Sequence, residues 1–249
     1  MKKYQDINSS VIDKWVDEGW EWSIPVSHEA FLDAKNGQWD VVLTPNKVVP
    51  KSWFGELKGK KILGLASGGG QQMPIFVALG ALVTCLDYSQ RQLDQEAVVA
   101  KREGYEIKLV KADMTKRLPF DDESFDLIFH PVSNVYIEQV EPVFKECYRI
   151  LKKGGILLSG LDNGLNFAFD EEDGKILFDL PFNPLIDQEQ YDYMVKHDYG
   201  IQFSHTITEQ IGGQLKAGFR LIDLYEDTNK SGMLKDNNIP TFLATKVEK

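Results

Sequence analysis

From residue 60 onward, short apolar runs alternate with segments whose apolar positions recur every three or four residues. That order of parts builds a parallel sheet covered by helices on both faces. Strands are predicted at Lys61 to Leu65, Leu82 to Asp87, Glu106 to Val110, Phe125 to His130, Gly155 to Gly160, Phe219 to Glu226 and Thr241 to Thr245. Between them, Leu93, Ala97 and Ala100 share a helical face that opens on a Ser89/Gln92 capping box and closes at Gly104. Val140, Phe144, Cys147 and Leu151 share another. Lys152, Lys153, Gly154 and Gly155 stop that helix, with the cations near its negative end. Thr206 with Glu209, followed by Ile211, Leu215 and Gly218, spells a third. Pro74 suits the first turn of the helix after the first strand, where its missing N–H costs nothing.

Two regions fall outside this alternation. Residues 1 to about 58 carry all five tryptophans, Trp15, Trp20, Trp22, Trp39 and Trp53. The stretch from Leu161 to Phe203 is too long for an ordinary connection and holds Phe167, Phe169, Phe178, Phe182, Tyr191, Tyr193, Tyr199 and the acidic run Asp170 to Asp173. Ligands of an open α/β sheet bind beyond the carboxyl ends of the strands, and both regions can reach that rim. They are therefore expected to form a lid: 1–58 as an N-terminal arm and about 161–203 as an insertion within a 59–249 sheet-bearing domain. Packing of an accessory subdomain is the competing use for the same aromatic residues.

Charge and cysteine content narrow the partners. The chain carries 28 Lys plus Arg against 38 Asp plus Glu, a net charge of −10, which disfavours phosphate backbones and anionic membrane surfaces. Cys85 and Cys147 both sit among apolar residues and read as buried free thiols rather than a disulfide or a zinc site, so no metal is expected. The most apolar stretch, Met73 to Leu86, is too short to cross a bilayer and contains Gly80. A cytoplasmic protein without nucleic-acid or membrane partners is the expectation.

The candidate chemistry begins at ILGLASGGGQQ, residues 62 to 72, where an apolar run breaks into three consecutive glycines. A strand that turns abruptly into a helix needs positive φ angles, which glycine adopts without steric penalty. Without a Cβ, Gly68, Gly69 and Gly70 also let the main chain approach a bound molecule, and amides opening the next helix lack internal partners. Asp87 ends the next apolar run, where one carboxylate can accept both hydrogen bonds of a ribose diol. Turn plus acid point to a nucleoside cofactor; a structural turn and a capping aspartate form the plainer alternative.

Four segments in order, ILGLASGGGQQ at 62, VTCLDYS at 83, KADMTKRLPFDDESFDLIFH at 111 and FKECYRILKKGGILLSG at 144, resemble the class I S-adenosylmethionine-dependent methyltransferases of the small-molecule type. The resemblance covers roughly Gly59 to Glu226 and implies a doubly wound, mostly parallel, seven-stranded Rossmann-like α/β sheet. It further implies that the backbone of Ala66, Ser67, Gly68, Gly69 and Gly70 approaches the methionine and ribose of S-adenosyl-L-methionine, with Asp87 on the ribose hydroxyls. Tyr88 would pack on the adenine, Asp113 would accept from its amino group, and the Met114 amide would meet a ring nitrogen. The main chain at His130 would meet the cofactor's ammonium. The chain departs from the family at Gly64, commonly acidic, and at Ala66, commonly glycine. The Asn-Pro-Pro-Tyr type motif is replaced by His130, Pro131, Val132 and Ser133, which argues against DNA base methylation.

Methyl transfer from a sulfonium is an in-line displacement, so the protein mainly positions the acceptor and excludes water. A base helps only when the acceptor must lose a proton. His130, expected on the rim, is the first candidate and His28 on the N-terminal arm the second. Asn134 and Tyr136 are candidates to orient the acceptor; His197 and His205 read as surface or capping residues. The aromatic lid and the acidic chain suggest a neutral or cationic small molecule with apolar surface. Two other functions stand beside this one: a non-catalytic S-adenosylmethionine-binding regulator and a nicotinamide-dependent oxidoreductase. The second needs a glycine or alanine at Met73 and leaves the Asp113 segment unexplained.

Overall fold

The computed structural model describes residues 3–170 and 174–249; residues 171–173 of the acidic run lie outside the described residues. Seven strands form one sheet: β1 Lys61–Leu65, β2 Leu82–Asp87, β3 Lys108–Lys111, β4 Phe125–His130, β5 Leu151–Asp162, β6 Arg220–Asp227 and β7 Phe242–Glu248, in the order β3-β2-β1-β4-β5-β7-β6. The first five pair in parallel, and β7 runs antiparallel between β5 and β6. Strand order reverses between β1 and β4, which is where such sheets leave a crevice for a ligand.

Among the described residues, eight α-helices accompany the sheet: α1 Tyr4–Asp17, α2 His28–Lys35, α3 Met73–Ala78, α4 Gln90–Glu103, α5 Glu141–Ile150, α6 Gln188–Lys196, α7 Ile207–Ala217 and the short α8 Met233–Asp236. The period-two alternation of side chains sorts the strands onto two faces. Ile62, Val83, Cys85, Leu127 and Phe129 meet Ile75 and Phe76 of α3 on one face, while Leu63, Leu65, Leu86 and Ile128 meet Val143, Phe144 and Cys147 of α5 on the other. Both thiols are buried and free.

Local signals act largely as expected. Gly104 and Gly218 close α4 and α7 in the left-handed conformation, and Thr206 with Glu209 makes a complete capping box. The Ser89 box is only half formed: Ser89 Oγ accepts from Gln92 N at 3.1 Å, but Ser89 N donates to Asp87 Oδ1 at 2.9 Å instead of to Gln92. Helix α5 ends at Ile150 and passes directly into β5, so Leu151 is a strand residue and Lys152 Nζ pairs with Asp126 at 2.9 Å. The added strand length is absorbed by a register shift between Phe125 and Leu127 and by Gly154 at φ 74°.

The N-terminal arm divides between two tasks. Val41, Leu43, Trp53 and Phe54 are buried in the core on the α3 side, with Trp53 Nε1 donating to Asp223 Oδ2 at 2.9 Å. Helix α1 and the Trp20–Trp22 segment lie at the rim instead. In the insertion, Phe178, Phe182, Met194, Ile201 and Phe203 form a small core of their own, joined by Tyr4 and Ile7 from α1. Among the described residues no helix is long and apolar enough to cross a membrane.

Candidate functional site

The carboxyl ends of β1, β2, β4 and β5 open on a cavity of about 750 Å³, within the range of roughly 300 to 1,000 Å³ typical of small-molecule sites. Ala66, Ser67 and Gly68 form its floor beside Asp87, Tyr88, Asp113 and Met114. These seven predicted site residues are thus set by three strand ends and the loops that leave them, because the parallel sheet brings those ends to one rim.

Asp87 holds the turn after β1 in place. Its Oδ2 accepts from Gly68 N at 3.1 Å and its Oδ1 from Ser89 N at 2.9 Å. Burial pushes its carboxyl up to about 6, against the pull of these amides. Asp113 Oδ1 accepts from Thr115 N at 2.8 Å and Thr115 Oγ1 at 2.7 Å, an arrangement that orients the carboxylate beside Met114. Tyr88 donates its hydroxyl to Asp6 Oδ1 at 2.7 Å, which ties α1 to the same wall. Ser67 is buried on the cavity floor, and its Oγ has no partner among the described residues. An orphaned hydroxyl of this kind is what a polar ligand satisfies.

The glycines work differently from expectation. All three amides have internal partners: Gly68 N on Asp87, Gly69 N on Gln92 O at 2.9 Å and Gly70 N on Glu96 Oε1 at 2.8 Å. The turn therefore offers a ligand little in the way of free donors. Gly69 and Gly70 lie off the cavity, at φ 100° and 73°, and a Cβ at Gly69 would stand 2.7 Å from Trp22 O. Their bareness admits the N-terminal arm, whose Val26 N donates to Gly70 O at 2.8 Å. Only Gly68, where a Cβ would lie 2.6 Å from Gln92 Cβ, is squeezed on the cavity wall itself.

The two departures from the family pattern have local causes. A Cβ at Gly64 would fall 2.4 Å from Met73 Sδ, so Met73, fully buried, fills the room an acidic side chain would need. Ala66 sits at φ 48°, a left-handed conformation that costs alanine of order 1 kcal/mol more than glycine.

Neither predicted base reaches the cavity. His130 shares strand parity with Ile128 and so turns under the α5 layer; it is 2% exposed and its Nδ1–H donates to Leu65 O at 2.9 Å. Burial lowers its pKa. His28 is exposed outside the cavity, with Nδ1 2.8 Å from Glu103 Oε2. His197, read from sequence as a surface residue, does line the cavity: its Nδ1–H donates to Tyr193 O at 2.8 Å and its ring stacks at 5.5 Å on Tyr199. His205 is buried and meets Asn134 O through Nε2 at 3.0 Å.

Sequence reasoning missed the most heavily built part of the site. Asp162, at the end of β5, lines the cavity at 3% exposure. Its backbone is held by Asn134, which donates to Asp162 O at 3.0 Å and accepts from Asp162 N at 2.9 Å, and by Gln210, which donates to Asp162 O at 2.9 Å. Asn134 and Gln210 are each 1% exposed, so these amides are structural clamps, not acceptor ligands. The one signal in the sequence was three polar residues at strand or helix positions where apolar ones were expected.

Comparison with known proteins places this architecture. A family model described as a methyltransferase domain matches residues 63–159. Over 246 residues the chain is 44% identical to the uncharacterized methyltransferase YbaJ of Bacillus subtilis (strain 168), covering 96% of each protein. It is 32% identical over 148 residues to the sterol 24-C-methyltransferase ERG6B of Gibberella zeae, a match to 57% of this chain and 37% of that one. Among solved structures, an S-adenosylmethionine dependent methyltransferase from Mesorhizobium loti superposes with a TM-score of 0.63 at 19% identity, over 80% of this chain and 95% of that one. A Burkholderia thailandensis 1,6-didemethyltoxoflavin-N1-methyltransferase with bound S-adenosylhomocysteine does so at 0.61 and 14% identity, over 99% and 88%. The chain belongs to the class I S-adenosylmethionine-dependent methyltransferases.

Proposed function

We propose that the enzyme methylates a small, neutral or cationic acceptor with apolar surface, seated in the same cavity as S-adenosylmethionine. The observation that carries this reading is the division of one cavity into two chemically distinct ends. At the β1–β3 end, Ser67, Gly68, Asp87, Tyr88, Asp113 and Met114 would hold the cofactor, Asp87 through the ribose hydroxyls and Asp113 through the adenine amino group. Ala66 and Ser67 would meet its methionine portion, with Gly69 and Gly70 supporting the turn from behind. Aromatic residues of the arm and the insertion, Trp20, Trp22, Phe167 and Tyr199, would close over the acceptor as a lid. The named relatives include a sterol 24-C-methyltransferase, which supports a small-molecule acceptor.

The bound cofactor supplies an electrophilic methyl group. The chain's own residues align the acceptor with it and keep water away, the two effects on which such a displacement depends. With His130 bonded to Leu65 and His28 outside, neither serves as a base in this reading, and His197 is the histidine that lines the cavity. The test is a thermal-shift titration with S-adenosylhomocysteine. A ligand at about 100 times its Kd adds roughly 2.7 kcal/mol. Asp87→Ala is expected to remove the shift, and a variant that kept it would overturn the assignment.

A further inference from the structure

The lining of the cavity has a marked electrical bias. Among the described residues it contains the carboxylates of Asp87, Asp113, Asp162 and Asp170 and not one lysine or arginine. Asp87 and Asp113 belong to the cofactor end. Asp162 does not: β4 lies between β1 and β5, and at about 4.8 Å per strand this sets Asp162 roughly 10 Å from the turn after β1.

Among the described residues, the Asp162 carboxylate is hydrogen-bonded only by neutral groups. Oδ1 accepts from Gly164 N and Oδ2 from Asn166 Nδ2, both at 2.6 Å. Asn166 Oδ1 in turn accepts from Asn229 Nδ2 at 2.7 Å, and Asn229 Oδ1 from Thr241 Oγ1 at 2.8 Å. This relay fixes the carboxylate without supplying a positive charge. A buried carboxylate lacking a cation is costly, and a chain that clamps its backbone at three points keeps it there. Phe167 and Tyr199, which meet edge to face at 5.7 Å, line the same cavity, and aromatic rings attract organic cations.

We propose that Asp162 is the specificity-determining counter-ion of the acceptor, and that the acceptor is an organic cation of aromatic size whose ammonium group lies between Asp162 and the Phe167/Tyr199 rings, the methyl-accepting atom being a different, uncharged atom of the same molecule. This rests on the reading of the cavity as a two-ended methyltransferase site. Acids and phosphate esters are disfavoured, because they would place a further negative charge among carboxylates in a lining without lysine or arginine.

The experiment uses the full chain saturated with S-adenosylhomocysteine, followed by fluorescence of Trp20 and Trp22, which line the cavity. Benzylamine, benzyl alcohol and benzoate at neutral pH are probes of equal bulk and different charge. Benzylammonium is expected to bind at least about tenfold more tightly than the other two. Asp162→Asn is expected to bring it to the level of benzyl alcohol while leaving the affinity for S-adenosylhomocysteine unchanged. Equal or tighter binding of benzoate or benzyl alcohol overturns the proposal, as does no saturable binding of benzylammonium. A folded Asp162→Asn that loses S-adenosylhomocysteine overturns it too, since Asp162 would then serve the cofactor's ammonium. Should that variant not fold, Phe167→Leu with Tyr199→Leu is expected to weaken benzylammonium selectively, and an unchanged ratio to benzyl alcohol overturns the proposal. If S-adenosylhomocysteine fails to bind the wild type, the cofactor reading fails, while benzylammonium binding to the free protein still reports on Asp162.

Discussion

Glu96 shows how one side chain of α4 sets the cofactor turn and charges the protein for it. It is fully buried, with Oε1 accepting from Gly70 N at 2.8 Å and Oε2 without a partner among the described residues. Burial pushes its carboxyl from 4.5 to about 8. Between those values the folded chain holds a proton that the unfolded chain releases. Its contribution to stability is therefore full below pH 4.5 and is lost as pH rises through 8. Glu96→Gln keeps an acceptor for Gly70 N and cannot ionise. The variant is expected to gain on the wild type by on the order of a few kcal/mol between pH 5 and pH 9. Urea unfolding at the two pH values checks this, and a difference independent of pH would refute it.

At the scale of elements, the legible parts were those whose burial follows a period. The bounds of β1, β2 and β4 match the apolar runs residue for residue, and the Gly104 and Gly218 stops fall where the pattern ends. β3 starts at Lys108 rather than Glu106, and β5 at Leu151 rather than Gly155, since pairing with a neighbour, not local composition, decides where a strand begins. Strand-end chemistry was harder to read. His130 could be placed at the end of β4, but which layer its ring enters depends on what covers each face, here α5. Asp162 and Asn134 lie far apart in sequence and gain meaning only once β5 and the loop after β4 adjoin. Helix α1 left no strong signal because its stability comes from contacts outside itself. Asn8, 4% exposed, donates to Ile201 O at 2.9 Å and to Tyr136 O at 3.3 Å and accepts from Ile201 N. Asn8→Ala leaves those groups unpaired and is expected to cost roughly 1 to 3 kcal/mol. It should also expose residues 4–17 to protease, and unchanged proteolysis would show that α1 is anchored elsewhere.

For the molecule as a whole, the sheet is a common platform and the individuality lies in what is laid across its rim. Helix α1 touches both ends of the cavity at once. Ser9 Oγ donates to Tyr88 O at 3.1 Å and Ser89 Oγ to Asp13 Oδ1 at 2.5 Å, while Asn8 grips Ile201 and Tyr4 packs on Phe203 at 5.1 Å. A rod fastened on two sides makes each ligand's binding sensitive to the other. Whichever molecule binds first would bear the entropic cost of any further stilling of the rod, and the second would be spared it. Donor and acceptor should thus bind with positive cooperativity, by one reciprocal factor whichever is titrated. Calorimetric titration of each in the presence of the other would measure that factor, and a value of unity would mean that α1 is rigid before either arrives.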